Sequence, residues 1–352
     1  MGLGIAIAVD DTPDAELAEA TRVEVYERMG DTTVYTISFP VDISEGDITL
    51  LTDSRIDAGS ILSVLVPTED TTHCLVKGPV YSQKIHLQHG GEGSWVEVTG
   101  ADTSIVMDRE TKSAVWADGT DSDAVSAILG NYGYTPDVET TNAAHPEDKH
   151  TLVQRETDLR FVRRLARRNG FLFWITCDEN GTETAYFKPP PLEGSEDREL
   201  IINLESPNVQ SLDINWDVER PTSVEGVQLD LNAKTNLDGS VAQTPQTILG
   251  DVGLSDITGD TRSVHVSAPA DDAGDMQARG EGALMEADWF IRATCNTSLN
   301  QLGGLVRAHS LVNLRGAGSR HSGLYFVAAV RHIIDAASHR MELELVRNGW
   351  GE

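Results

Sequence analysis

The stretch QRETDLRFVRRLARRNGFLFWITCD, residues 154–178, decides the fold of this chain. Thr157 can cap a helix that begins at Asp158. The acidic side chain of Asp158 in the first turn also suits the positive end of the helix dipole. Gly170 is placed to end this helix, and the aromatic run after it predicts a hairpin that turns at Glu-Asn-Gly. The apolar stripe of the helix consists of Leu159, Phe161, Val162, Leu165 and Ala166.

Arginines cover the rest of this helix, although the chain is strongly acidic. Acidic residues number 56 against 27 basic ones, which gives a formal net charge of −29. Two interpretations stay open: a solvated face whose last-turn cations suit the dipole, or a contact with an acidic neighbouring subunit through guanidinium–carboxylate pairs. The second makes these arginines the candidate subunit interface. They are Arg160, Arg163, Arg164, Arg167 and Arg168.

On both sides of this stretch the sequence is typical of β-structure. Residues 21–107 alternate apolar and polar positions in short runs separated by Gly, Pro and Asp, and this pattern returns from about residue 195. The sequence therefore predicts a mainly β chain with an α+β insert, in which two β-barrel or sandwich domains flank a small α/β domain. We call these the N-terminal part, 1–107, the insert, 108–191, and the C-terminal part, 192–352.

Three further features belong to this layout. Residues 119–134 predict a helix capped by Asp121 or Ser122. Residues 233–263 have little periodicity and indicate an extended polar loop. Residues 273–296 predict a long helix, before three final strands. Its expected core positions are Met276, Leu284, Met285 and Trp289.

Composition excludes several classes of function. So acidic a surface repels phosphates, which argues against nucleic-acid binding. No window approaches 18 consecutive apolar residues, so we expect no membrane insertion, and the first residues lack the basic region of a signal peptide. The excess of carboxylates over only six lysines fits a halophilic source, with an acidic mesophilic protein as the alternative.

No catalytic, cofactor or metal site stands out. Glycine motifs for nucleotides and the nucleophile elbow are missing, and the carboxylates are too dispersed to choose an acid–base pair. Cys74, Cys177 and Cys295 form no CxxC pair, so we expect neither zinc nor a disulfide, only small buried residues. The segment HPEDKH makes a metal site at His145, Asp148 and His150 conceivable, but a solvated loop is favoured.

The opening stretch also resembles the phage late control protein D family and the hub portion of VgrG spike proteins, where an ETD turn starts a helix that ends in arginine and glycine. Four more segments are similar to motifs of that family and occur in its order. They are SDAVSAILGNYGY, CLVKGPVYSQKIHL with WVEVTGADTSIVMDRE, AGDMQARGEGALMEADWFIRATCN, and HSGLYFVAAVRHII with MELELVRN.

This resemblance implies a structural baseplate hub of a contractile tail: a phage, a tailocin or a contractile injection system. Such hubs are homotrimers in which each chain supplies two tube-like β-barrels, and the six barrels join the six-fold inner tube to the three-fold spike. The implied partners are the inner tube protein, a separate spike protein and other baseplate subunits. VgrG chains continue into a spike, whereas this sequence ends at VRNGWGE. The implied location is a particle assembled in the cytoplasm.

Two other classes of function remain as alternatives. A β-type hydrolase would need an acid pair in a deep cleft. An extracellular adhesive or binding module would need a secretion signal, and none is recognisable at this N-terminus. The sequence therefore favours a non-enzymatic hub without a cofactor.

Overall fold

The computed structural model describes residues 4–41, 48–69, 71–89, 91–148, 152–230, 234–266 and 270–351. Strands outnumber helices by far in the N-terminal and C-terminal parts, which confirms the prediction of a mainly β chain. Those of the N-terminal part are β1 Ala6–Val9, β2 Thr12–Asp14, β3 Arg22–Arg28, β4 Val34–Pro40, β5 Ile61–Pro67, β6 Thr72–His86 and β7 Trp95–Ala101.

The insert packs two helices against a small sheet around its own core. Helix α1 is Asp121–Gly130 and helix α2 is Asp158–Arg168, and every residue of the predicted stripe of α2 is buried. Thr157 caps α2 as predicted, whereas Thr120 caps α1 in place of Asp121 or Ser122, because it forms a reciprocal capping box. The strands are β8 Ala114–Val115, β9 Gly119–Thr120, β10 Thr135–Val138, β11 Ala144–His145, β12 Val153–Gln154, β13 Leu172–Cys177 and β14 Glu183–Lys188.

The C-terminal part is again mainly strands, with helices α3 Leu254–Thr258, α4 Ala273–Ala287 and α5 Leu299–Leu302. Its strands are β15 Arg198–Ile201, β16 Ser211–Trp216, β17 Ser223–Glu225, β18 Val227–Asp230, β19 Thr235–Asp238, β20 Val252–Gly253, β21 Ser263–His265, β22 Ile291–Ser298, β23 Leu311–Arg315, β24 Gly323–Asp335, β25 His339–Arg347 and β26 Gly349–Trp350. Short 3-10 helices occur at Leu17–Glu19, Thr49–Thr52 and Thr103–Asp108.

Two predictions for the C-terminal part are wrong in detail. The helix predicted over 273–296 ends at Ala287, and Ile291–Ser298 forms β22, because its buried and exposed residues alternate with the period of a strand. Met276, Leu284 and Trp289 are buried, and Met285 is half-buried. The loop predicted over 233–263 contains β19, β20 and α3 in its described residues, and its first residue lies outside them.

The N-terminal and C-terminal parts repeat one strand order. In the N-terminal part the neighbours run β1–β5–β6–β7–β4–β3, and in the C-terminal part they run β15–β23–β24–β25–β22–β16. When the six strands of each path are numbered in chain order, leaving out β2, β17–β21 and β26, both orders are first, fourth, fifth, sixth, third, second. One difference is that β1 and β5 are antiparallel whereas β15 and β23 are parallel. The chain therefore contains a structural duplication that its sequence does not reveal.

Antiparallel pairing of β3 with β24 joins the two repeats into one sheet. Eight strands then follow each other without a break, in the order β6–β7–β4–β3–β24–β25–β22–β16. One face of this sheet covers a core shared by both repeats. The described strands do not close into barrels, so the two-barrel arrangement and the domain boundaries at 107 and 191 remain predictions.

Candidate functional site: free strand edges and the arginine helix

The joint between the repeats shows how one edge of this sheet is completed. Arg331 of β24 forms an ion pair with Glu24 of β3, with 2.6 Å between Nη2 and Oε2. Burial acts to raise the pKa of Glu24, but hydrogen bonds from Arg331 and Arg22 outweigh it, so this pKa lies below its ordinary value. On the other face His332 is buried opposite Val25. The joint therefore combines backbone pairing, an ion pair and apolar burial.

The corresponding edge of β6 lacks such a partner. Its residues after Val80 pair with β7 on one side, and no described strand pairs with the other side. Large apolar side chains are exposed there: Tyr81 by 48%, Ile85 by 44% and Leu87 by 56%. An unpaired strand edge with apolar side chains is a template for pairing with another chain.

The opposite end of the eight-stranded path is also open. Strand β16 pairs with β22 on one side only among the described strands, and Trp216 at its end is 48% exposed. The molecule therefore has two complementary sheet ends: one belongs to the first repeat and the other to the second.

The arginine side chains of α2 point in several directions. Arg163 reaches the turn after β3, with its Nη2 3.1 Å from Asp31 Oδ1 and 2.7 Å from Thr32 Oγ1. Arg164 pairs with Glu156 at 2.6 Å. These two arginines hold the chain together internally, so an interaction with a neighbouring subunit depends on the remaining ones.

Arg160 and Arg167 face outward. The side chain of Arg160 is 69% exposed and lies 3.2 Å from Asp108. Arg167 is exposed, and no ion pair within the described residues neutralises it. Of the five predicted interface residues, these two are best placed to contact another molecule, and that role stays a prediction.

Arg168 belongs to a buried ionic cluster between the insert and α4. Its guanidinium contacts Asp121 at 2.5 Å, and His145 lies between two carboxylates, with Nδ1 2.6 Å from Asp271 and Nε2 3.1 Å from Asp121. The prediction of a solvated loop is therefore wrong for His145, which is only 1% exposed. Asp148 is exposed, and His150 lies outside the described residues.

This cluster also contains the ligand atoms of a conceivable metal site. Donor atoms of His145, Asp271 and Asp275 lie within 4.8 Å of one another. However, Arg279 binds Asp275 through both guanidinium ends at 3.1 and 3.0 Å, and Arg168 lies 3.8 Å from the same carboxylate. The positive charges of these two guanidinium groups beside the carboxylate of Asp275 would repel a metal cation. The arrangement therefore fits an internal ion-pair network rather than a metal site.

A disulfide joins the insert to the N-terminal part and corrects the prediction for the cysteines. Cys74 on β6 and Cys177 on β13 lie opposite each other in the sheet and are bonded, whereas Cys295 is free and buried as predicted. The partners are 103 residues apart, so sequence spacing carries no signal for this pair. Among the described helices, none combines the length and the apolarity needed to cross a bilayer.

Comparison with known proteins identifies related folds. The family described as the Alg8 N-terminal domain matches residues 7–336. No curated protein sequence matches this chain. A tail protein from Neisseria meningitidis has a similar structure, with a TM-score of 0.67 at 14% identity, over 99% of this chain and 97% of that one.

Two further solved structures share the fold. The 43 kDa tail protein of prophage MuSo2 from Shewanella oneidensis gives a TM-score of 0.64 at 14% identity, over 98% of each chain. The E. coli c3393 protein gives 0.59 at 13% identity, over 99% of this chain and 79% of that one, and is described as a type VI secretion component similar to the phage T4 tail proteins gp27 and gp5. At such identities the likeness establishes a tail-protein fold.

Proposed function

We propose that this chain, which belongs to the family described as the Alg8 N-terminal domain, is a structural, non-enzymatic baseplate hub of a contractile tail-like particle. The tail-protein fold that it shares with solved structures supports this role. Three copies form a ring that joins the inner tube to a separate spike protein, and other baseplate subunits surround it. The observation that carries this proposal is the duplicated strand order, in which the described strands leave one side of β6 after Val80 and one side of β16 without a partner strand.

The duplication predicts how neighbouring copies meet. In the joint inside one chain, β24 of the second repeat pairs with β3 of the first. The equivalent strands are β6 and β16, and both have a free side among the described strands. Pairing β6 of one copy with β16 of the next repeats the joint between subunits. Three chains of eight consecutive strands can then close into one ring without edges.

Matching irregularities fix the alignment of β6 with β24. Each strand shifts register by one residue against the strand that follows it, β6 against β7 at Tyr81 and β24 against β25 at Ala328. Counting on from these bulges places Lys84 where Arg331 lies. A bulge at the same position in both repeats supports a common alignment, because bulges fix local twist and register.

The same procedure aligns β16 with β3. Thr294 of β22 and Thr36 of β4 occupy equal positions relative to the bulges. Their partners on the next strand are Asp213 and Glu24. The ion pair of the internal joint is therefore matched by Lys84 of one copy and Asp213 of the next.

Apolar positions agree with this register. The alignment sets Ile85 opposite Ile214 and Leu87 opposite Leu212 of the neighbouring copy. These side chains lie on the face that is buried at the internal joint. Pairing would remove from water the exposed aliphatic groups of β6, which stabilises the contact by roughly 25 cal/mol per Å² of apolar surface.

An engineered disulfide tests both the trimer and its register. The alignment sets Lys84 opposite Asn215, so the variant Lys84→Cys with Asn215→Cys should form covalent trimers on oxidation. The matched control, Gln83→Cys with Asn215→Cys, puts the two thiols on opposite faces and should not cross-link. Light scattering in molar salt gives the mass of the unmodified chain.

The outcomes separate the parts of the proposal. A three-chain mass with cross-linking of the first variant alone supports the hub and the register. A three-chain mass with cross-linking of the control alone contradicts the register. A chain that stays monomeric at every concentration, with no cross-link in either variant, contradicts the ring itself.

A further inference from the structure

A cavity of about 350 Å³ lies where the insert, helix α4 and the turn after β3 meet. Its volume falls in the range of cavities that bind small ligands or side chains. Gly170 and Gly282 bring α2 and α4 into close contact beside it, since a Cβ on Gly282 would lie 2.8 Å from the backbone nitrogen of Gly170. The apolar part of the lining includes Met29, Phe171, Leu172, Met285 and Trp289.

One buried polar side chain also lines this cavity. Gln246 is only 8% exposed, and neither its Oε1 nor its Nε2 has a hydrogen-bond partner among the described residues. An unpaired buried amide is unfavourable, because the hydrogen bonds that it makes to water in the unfolded chain are not replaced. Gln246 thus presents one acceptor and one pair of donors, which is the complement of a peptide group's N–H and C=O.

The surroundings of Gln246 hold it in place. The fully buried Arg347 donates from Nε to the carbonyl of Leu249 at 2.5 Å and from Nη1 to the carbonyl of Ser322 at 2.8 Å. Asn348 accepts from the backbone N–H of Leu249 at 2.8 Å. The backbone segment that carries Gln246 is therefore anchored beside β25.

The outward-facing arginines lie at the same place. A shallow groove between α2 and α4 continues from the cavity and shares Arg163, Arg167 and Glu286 with its lining. Arg160 and Arg167 on this groove are exposed, and Arg167 has no ion pair with Glu286 within the described residues. On a chain of net charge −29, exposed cations beside an apolar cavity are a local complement to acidic groups.

We propose that this cavity and groove bind an extended segment of a partner protein in which an apolar residue is flanked by Asp or Glu. The apolar side chain enters the cavity, Gln246 bonds the peptide group beside it, and Arg160 and Arg167 contact the flanking carboxylates. This docking site is separate from the sheet edges. A result that contradicts peptide binding here therefore leaves the proposed ring untouched, and the reverse also holds.

Peptide binding tests the site directly. The probe is the capped hexapeptide Asp-Asp-Leu-Phe-Asp-Asp, titrated by calorimetry, with the capped peptide Lys-Lys-Leu-Phe-Lys-Lys as the charge-reversed control. We expect the acidic peptide to bind saturably and to weaken as salt rises from about 0.1 to about 1 M, where exposed charges are screened. Arg160→Glu with Arg167→Glu should weaken binding at least about five-fold, and Arg315→Glu, an exposed arginine elsewhere, should not.

Gln246→Met separates a binding role from a structural one. Methionine keeps the volume and removes the unpaired amide, so the melting temperature of the free chain should rise while affinity for the acidic peptide falls about 2–10-fold. The proposal is overturned if neither peptide binds, if both bind equally, or if Gln246→Met lowers the melting temperature and leaves affinity unchanged.

Discussion

Arg331 and Glu24 meet at 2.6 Å across the strand joint, although 307 residues separate them in the chain. This ion pair lies across the joint between the two repeats, whose sequences show no visible similarity. In the proposed register Lys84 is equivalent to Arg331, and Asp213 is equivalent to Glu24. We therefore expect Lys84 of one subunit to form the same ion pair with Asp213 of the next.

Charge reversal at this expected contact should weaken the trimer. Lys84→Glu places a carboxylate diagonally across the contact from that of Asp213, and each exposed pair contributes about 0.2–1 kcal/mol, so the dissociation constant per interface should increase about 2–5-fold. Adding Asp213→Lys restores opposite charges and should restore assembly. Sedimentation at about 0.2 M salt measures both, and a double variant weaker than the single one would contradict the register.

The disulfide should be a large contribution to stability. Cys177→Ser removes a bond that closes a 103-residue loop between β6 and β13, and losing a native disulfide typically costs about 2–5 kcal/mol. Denaturant unfolding measures the loss. Reductant should destabilise the unmodified chain by a similar amount and have no effect on Cys177→Ser. Equal sensitivity of both proteins to reductant would show that this bond is not the cause.

Two buried histidines should make the joint sensitive to acid. His332 Nδ1 lies 3.0 Å from His339 Nε2. Burial lowers the pKa of both, well below 6.5 for His332 and to about 4 for His339, and the cation of Arg307 adds to the effect on His332. The unfolded chain thus binds more protons, so stability should be lost as the pH falls from about 6.5 towards 4.

A variant of His332 checks this assignment. Ile85 occupies the equivalent position in the first repeat, so His332→Ile should keep the fold and make the loss of stability between about pH 6.5 and 4 shallower. Thermal unfolding across this range measures the slope. The exposed His265 serves as the control, since His265→Gln should leave the slope unchanged. If His332→Ile lost stability between about pH 6.5 and 4 as steeply as the unmodified chain, other groups would be responsible for the acid sensitivity.

His145 should act in the opposite direction. Burial lowers its pKa, but hydrogen bonds to Asp121 and Asp271 outweigh burial and the nearby cation of Arg168, so the pKa lies above 6.5. The folded chain then binds the extra proton, and its contribution is full below about pH 6.5 and is lost as the pH rises through the raised pKa. The variant His145→Gln should be less stable than the unmodified chain at about pH 6, and its stability should change less as the pH rises above about 6. Thermal unfolding at several pH values measures both effects.

Local features were predictable from the sequence and distant ones were not. Thr157, the apolar stripe and Gly170 specify α2 through contacts a few residues apart, so the prediction of this helix is confirmed. The joint of β3 with β24 and the bond of Cys74 with Cys177 depend on strands that are far apart in the chain, and no local pattern indicates them.

The arginine helix shows the same limit at the candidate site. Its charge was evident, but the direction of each side chain depends on what packs beside it. The turn at Asp31 draws Arg163 inward, and Asp121 with His145 encloses Arg168. Arg164 is exposed but pairs with Glu156, so Arg160 and Arg167 are best placed to contact another molecule. Gln246 gave no signal in the sequence, because a buried amide without a partner is recognisable only in three dimensions.

The joint of β3 with β24 also has a consequence for synthesis on the ribosome. Strand β3 is made among the first residues, whereas its partner emerges near the end of the chain, so the nascent protein carries an unpaired edge for most of its translation. Contacts between such distant segments slow folding. A growing chain can meanwhile meet the finished β24 of another copy, which would exchange strands between molecules. Rapid pairing at the joint therefore favours separate chains over chains that have exchanged strands.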